Sequence, residues 1–239
     1  DTFSISVGGV AGLLLPVKQE TRAGKAITTY NTATQSFHKV EYNSTDENWT
    51  VYGKDGTIYF FSIIDRASTS NQACADSQDD LNLTWRWSLT WVKDIFQNTI
   101  DYTYYKETKT GGCINQIAVY PETITYSNGK YRVRFAREAR SDYQHAWTET
   151  DAKVLYGASR LKEVFIEHEV SGQWNIVRSY AFEYAAAQAQ SNIIYPGMKW
   201  KPTGSADNWV RTLTLQRVIE KGADGTPLPA VQCTYDELH

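Results

Sequence analysis

The chain has 239 residues, 41% hydrophobic and 21% charged, a balance that suits a globular core and excludes an intrinsically disordered segment. A net charge of −3 gives no reason to expect nucleic acid or an anionic membrane surface as a partner, and no apolar run reaches membrane-spanning length. Sixteen Tyr and eight Trp against a single Met suit pleated, half-buried surfaces more than helix bundles.

The chain begins at Asp1 with no initiator Met and no signal peptide, so it reads as an excised or processed piece of a larger protein. Residues 2–17 alternate at Phe3, Ile5 and Val7 and break at Gly8-Gly9 and Gly12, predicting a strand, a turn and a second strand. Residues 37–42 form another short strand candidate. Trp49 and Val51 lead into Gly53-Lys54-Asp55-Gly56, and residues 57–63 lead out; Asp-Gly between apolar alternations is a strong hairpin signal. The Ser-, Asp-, Asn- and Gln-rich stretch 65–82 reads as a loop.

The clearest unit spans residues 85–105, WRWSLTWVKDIFQNTIDYTYY. Trp85, Trp87, Leu89 and Trp91 share one parity, and Ile100, Tyr102 and Tyr104 repeat the alternation after a turn at 94–98. A period of two predicts a hairpin with its indoles on one face, and Asn98 suits a positive-φ turn position. A Gly-rich link at 108–113 follows. Ile124 and Tyr126, Asn128-Gly129, then Tyr131, Val133 and Phe135 predict a hairpin with a type I′ turn. Residues 137–156 are polar and irregular. Residues 161–184 turn at Ser171-Gly172, with Trp174, Ile176, Tyr180, Phe182 and Tyr184 in one parity. Residues 185–190 suit a helical turn and 191–208 a long loop, and a last strand pair, 211–220 and 230–235, flanks 222–229.

Five hairpin-like units without a sustained helical period predict an all-β chain. It would consist of large antiparallel sheets built from successive hairpins, with little helix. The spacing is too irregular for propeller blades. The expectation is a single β-rich segment of a larger protein, with a weak subdivision into 1–115 and 116–239.

The order of these phrases carries a resemblance. DTFSISVGGVAGLLLPV, a strand ending at Tyr42, WTVYGKDGTIYFF, WSLTWVKDIFQNTIDYTYY, ITYSNGKYRVRF followed by Arg140-Ser141-Asp142, SRLKEVFIEH and VRSYAFEY follow one another. Together they resemble the N-terminal region shared by Salmonella virulence plasmid B-type proteins and the B component of insecticidal toxin complexes, relatives of the Rhs/YD-repeat proteins. The resemblance covers nearly the whole chain and lies in the order of phrases, since each alone is a generic hairpin. It implies sheet strips that spiral into a hollow shell around a toxic cargo polypeptide. In the toxin complexes the stretch borders a propeller that docks to the translocation pore. The chain departs from the family in three ways. Gln97 stands where the family's Asp-x-x-Gly-Asn turn has Gly. No Tyr-Asp-x-x-Gly array is present, although Tyr235-Asp236 could begin one. No self-cleavage motif or toxin domain is visible.

Candidate chemistry is sparse. Cys74 and Cys113 flank the 85–105 hairpin and are candidates for a bridge across its base; Cys233 is the third cysteine. Asn43, Asn48 and Asn82 head sequons, which matter only in a eukaryotic secretory context. His168 lies on the apolar parity of its strand and reads as a packed histidine; His38 and His145 lie near strand ends or in loops, and His239 is terminal. No Gly-x-Ser-x-Gly elbow, His-Glu-x-x-His pair or zinc ligand spacing exists, and no cofactor is expected. Asp76, Asp79 and Asp80 read as a solvated loop cluster, with weak calcium binding as the alternative. Asp65, Asp94, Asp101, Glu163, Glu167 and Glu183 all lie near predicted strands, so a glycosidase-like carboxylate pair stays open although nothing singles one out. Trp85, Trp87, Trp91, Trp174 and Trp200 could stack on sugar rings if exposed; for the strand tryptophans sheet packing is the simpler reading, and Trp200 in MKWKP is balanced between the two. Lys199 and Lys201 beside it make no nucleic-acid footprint.

The sequence therefore predicts a non-enzymatic structural section of a secreted or cell-surface Rhs/toxin-complex-like shell that encloses or presents a cargo chain. Its edge strands would pair with other segments of the same polyprotein or assembly. No nucleic-acid partner and no membrane insertion are expected. A carbohydrate-binding β-sandwich or adhesin module is the alternative, and it demands an exposed row of at least two tryptophans.

Overall fold

The computed structural model describes residues 2–68, 82–111, 114–140, 159–185 and 213–235. Among them every regular element is a strand: β1 Phe3–Val7, β2 Val10–Arg22, β3 Lys25–Thr32, β4 Lys39–Asn43, β5 Asn48–Tyr52, β6 Ile58–Ser68, β7 Asn82–Lys93, β8 Thr99–Gly111, β9 Ile114–Tyr126, β10 Tyr131–Ala139, β11 Ser159–Val170, β12 Gln173–Tyr184, β13 Leu215–Lys221 and β14 Val231–Gln232. They pair antiparallel in chain order as one open sheet, and the end of β6 also pairs with the start of β9. The all-β meander of hairpins is as the alternation predicts. β9 carries the pairing through position 115, where the sequence suggests a subdivision.

The turns follow their residues. Gly8-Gly9 and Ser171-Gly172, all at positive φ, close two-residue hairpins whose twist matches the strands. Asn128 and Gly129 both take positive φ and Lys130 N donates to Ser127 O at 3.2 Å, the type I′ turn expected there. In the 94–98 turn the left-handed position falls on Gln97 (φ +68), not on Asn98. Asn98 instead donates from its backbone N and its Nδ2 to the Asp94 carboxylate, at 2.9 and 2.7 Å.

Three expectations need correction. The second half of β2 and its partner β3 were not foreseen: Lys18–Arg22 is too polar to read as a strand, and Pro16, paired with Tyr30 on one side, lies beyond the last β1 partner, Leu14, on the other. Residues 108–111 of the Gly-rich link are strand, because β8 runs to Gly111; Gly112 and Cys113 lie outside the described residues. At both ends of the 65–82 stretch read as loop there is strand, since β6 continues through Asp65 to Ser68 and β7 begins at Asn82; residues 69–81 lie outside the described residues.

The first seven strands curl over themselves. Phe3 on edge strand β1 meets Tyr30, Tyr42, Trp49 and Trp87 at ring-centroid separations of 6.1, 6.0, 5.1 and 5.9 Å. The β1–β2 turn reaches β6 as well, for a Cβ on Gly8 would lie 2.5 Å from the Tyr59 hydroxyl. Leu14, Tyr30, Val40, Trp49 and Val51 form the buried heart of this concave face. Pairwise aromatic contacts of this kind add about 0.5–1.5 kcal/mol each beyond area burial.

The β7–β8 ladder covers only residues 91–93 of β7, after which β8 diverges and pairs with β9. Because β9 returns to pair with β6 at Arg66, Ala67 and Ser68, strands β6 to β9 close into a ring of pairings. Among the described strands the sheet still ends in two open edges, β1 and β14.

Candidate functional site

The indoles of β7 were expected on one face; β-bulges divide them. Trp91 pairs with Phe60 and Leu89 with Phe61, leaving Thr90 as an extra residue whose hydroxyl takes the Ser62 backbone N–H at 3.1 Å. Phe60 and Phe61 point to opposite faces, so Trp87 enters the aromatic core while Trp91 stacks on Phe60 across the sheet (5.1 Å, 19°). A further shift, between Asp65–Arg86 and Arg66–Thr84, leaves Trp85 as the extra residue beside Arg86.

Each described tryptophan thus has its own surroundings. Trp87 donates from Nε1 to Glu47 O at 3.0 Å and meets Trp49 edge-on at 5.8 Å. Trp91 carries the Lys93 ammonium 5.5 Å from its ring centroid, and Trp174 carries the Arg132 guanidinium at 4.2 Å. Trp49, which the sequence reading did not single out, is 6% exposed and its Nε1 has no acceptor among the described residues. Trp200, Cys74, Cys113, Asp76, Asp79, Asp80, His145 and His239 lie outside the described residues. His168 stacks on Tyr131 (4.6 Å, 14°), and the His38 ring nitrogen Nδ1 lies 2.7 Å from Ser36 O.

A cavity of about 500 Å³ opens between β1 and β7. Leu14, Val40, Trp49 and Val51 form its floor; consecutive residues Thr2–Ser6 and Trp85–Trp87 form its two walls. Successive residues of a strand point to opposite faces, so lining by a continuous run means that the strand edge itself borders the space.

Four of the six carboxylates near strands, Asp65, Glu163, Glu167 and Glu183, are held by cations. Buried Asp65 accepts from Arg86 Nε and, at 2.9 Å, from the backbone N–H of Val119 on β9. Glu167 is clasped by Arg132 and Arg134, the latter at 3.0 Å. Glu163 accepts from Ser179 at 2.8 Å and Lys221 at 3.0 Å, and Glu183 from Arg217 Nε at 2.7 Å. Buried Glu41, also missed from sequence, holds Arg22 at 3.0 Å and Lys39 at 2.6 Å. Asp94 serves its turn, and Asp101 accepts from Thr99 at 3.1 Å. For Glu163, burial pushes the carboxyl up, but Lys221 and Ser179 outweigh it and hold the group below the usual range. Glu167 behaves the same way, with burial opposed by both arginines. A general acid needs the opposite shift.

Glu167 supplies a pH test. Its folded-state pKa lies below the unfolded value of about 4.3. Its contribution is therefore complete above that unfolded value and is lost as pH falls through the folded one. Glu167→Gln is expected to cost about 1–3 kcal/mol at neutral pH, and the gap to wild type should narrow in acid. Urea unfolding from about pH 7 to pH 2 checks this; a gap that stays constant across the range would refute it.

Compared with protein-family models and with curated proteins, the chain matches none.

Proposed function

We propose that the chain is a non-catalytic wall section of a secreted Rhs/toxin-complex-like shell, in which broad antiparallel sheet encloses or presents a cargo polypeptide and continues into other segments of the same assembly. The observation that carries the reading is the open sheet: the fourteen described strands join in chain order and end in unclosed edges. The ordered phrases that resemble the shell proteins support it from the side of sequence. A sugar platform needs free indole faces, and Trp87, Trp91 and Trp174 each have a ring contact within the chain. The carboxylates serve as charged acceptors that tie neighbouring strands.

Enclosure requires a surface that retains an unfolded chain. Adding the protein to reduced, aggregating α-lactalbumin is expected to suppress light scattering in proportion to its concentration, while a glycan array stays blank. Glycan binding that Trp85→Ala or Trp174→Ala abolishes, with no effect on aggregation, would overturn the reading in favour of a carbohydrate module.

A further inference from the structure

Phe96 is 78% exposed, Phe37 74% and Ile95 60%, and all three lie at one end of the sheet. Lys39 of β4, Tyr52 of β5, Ile58 of β6 and Lys93 of β7 are successive register partners, one row across four strands. The connections 33–38, 53–57 and 94–98 leave the strands beyond that row on the same side, so their tips stand next to one another. Phe37 comes two residues beyond Lys39, and Ile95 and Phe96 two and three beyond Lys93. Ile95 Cγ2 fills the place where a Cβ on Gly56 would stand, which packs the second tip against the third.

The backbone under these rings is fixed. The Asp94 carboxylate accepts the N–H of Phe96 at 2.8 Å and of Asn98 at 2.9 Å, and Gln97 N donates to Asp94 O at 3.1 Å. Phe37 is held at φ +57, a left-handed conformation that bulky side chains rarely adopt. The charges at this end are sorted as well. Asp94 serves its own turn, and Asp55 does the same by accepting the Thr57 N–H at 3.0 Å. Exposed Lys54 at the middle tip and Lys93 at the foot of the third form no ion pair among the described residues. The whole-chain charge of −3 therefore does not describe this end.

Apolar tips a few residues beyond a level of lysines match a lipid–water interface. There apolar side chains reach about 5–10 Å into the headgroup and acyl boundary, and ammonium groups stay with the phosphates. The tips are convex, belong to separate connections and leave the sheet from one row. A fluid bilayer accepts such tips without shape complementarity, whereas a folded partner would need a matching pocket for each. We propose that this end of the sheet is a docking surface for an anionic bilayer, into which Phe37, Ile95 and Phe96 dip while Lys54 and Lys93 contact lipid phosphates. The contact is peripheral and no strand crosses the bilayer. It goes beyond the wall-section reading, and neither depends on the other.

The test is flotation of the 239-residue chain with vesicles of equimolar phosphatidylcholine and phosphatidylglycerol. Partition onto them should be at least about fivefold stronger than onto pure phosphatidylcholine. Phe96→Ser should weaken it about tenfold or more at an unchanged melting temperature, since the ring already stands mostly in water. Phe37→Gly should weaken it to a similar extent while the melting temperature holds or rises, because glycine suits φ +57. Lys54→Gln with Lys93→Gln should abolish the preference for anionic vesicles. Absence of flotation overturns the proposal, as does equal partition of the wild type onto both vesicles. Flotation that Phe96→Ser and Phe37→Gly together leave unchanged overturns it too, by placing the contact elsewhere. Self-association in sedimentation that Phe96→Ser abolishes would assign the tips to a second copy and likewise overturn it.

Discussion

Trp49→Ala is expected to lower the unfolding free energy by about 3–5 kcal/mol, the cost of emptying a buried aromatic site. Trp49 is 6% exposed and meets Phe3, Tyr30, Tyr42 and Trp87 at 5.1, 5.3, 4.5 and 5.8 Å between centroids. These contacts join β1, β3, β4 and β7, so the loss loosens the curl of the sheet as well as one side chain's packing. Trp49→Phe should cost less, since it keeps an aromatic ring and removes an indole N–H that has no acceptor among the described residues. Trp91→Ala supplies the contrast. On the other face Trp91 stacks on Phe60 and carries the Lys93 ammonium, and its removal should cost about 0.5–1.5 kcal/mol. Urea unfolding followed by far-UV circular dichroism measures all three without relying on tryptophan emission. Equal losses for Trp49→Ala and Trp91→Ala would contradict the division of the indoles between two faces.

What the sequence made legible was local. Gly8-Gly9, Asp55-Gly56, Asn128-Gly129 and Ser171-Gly172 demand positive φ within a few residues of the alternation they interrupt, so their hairpins could be read directly. Long-range registration could not. Whether Thr90 bulges depends on Ser62 across the ladder, and that extra residue puts Leu89 and Trp87 on the opposite face from Trp91. Strict parity therefore placed Trp87 and Trp91 together when they belong to different layers. The charged end of β2, and with it the partner β3, was missed for a related reason: Glu20 accepts from Lys18 and Arg22, and Arg22 reaches on to Glu41, so a run that looks like a solvated loop is a strand whose charges are neutralised by neighbours. Of the candidate site, the tryptophans were visible in the sequence but their enclosure was not. The cavity needs β1 and β7, about eighty residues apart, to face each other, and no local pattern encodes that.

Asp65→Ala is expected to cost about 2–3 kcal/mol, because it leaves the buried Val119 N–H without its acceptor, whereas the largely exposed Arg86 guanidinium can turn to water. Asp65 is 1% exposed and touches three strands at once: it belongs to β6, ties Arg86 of β7 and accepts the Val119 N–H of β9. That last bond lies two residues from the point where β9 rejoins β6, so the side chain fastens the ring of β6 to β9 at its seam. Asp65→Asn keeps the size and one carbonyl oxygen for the Val119 N–H, and it should lose less than alanine. Asp65→Leu combined with Arg86→Met removes both charges but still leaves the Val119 N–H unpaired, so it should recover little of the loss. Urea unfolding gives the free energies, and amide exchange at Val119 localises them: the single variants should speed its exchange while leaving the Val40 and Val51 amides of the first layer slow. Asp65→Ala within about 1 kcal/mol of wild type, with Val119 still protected, would mean that the β6–β9 pairing holds without its carboxylate.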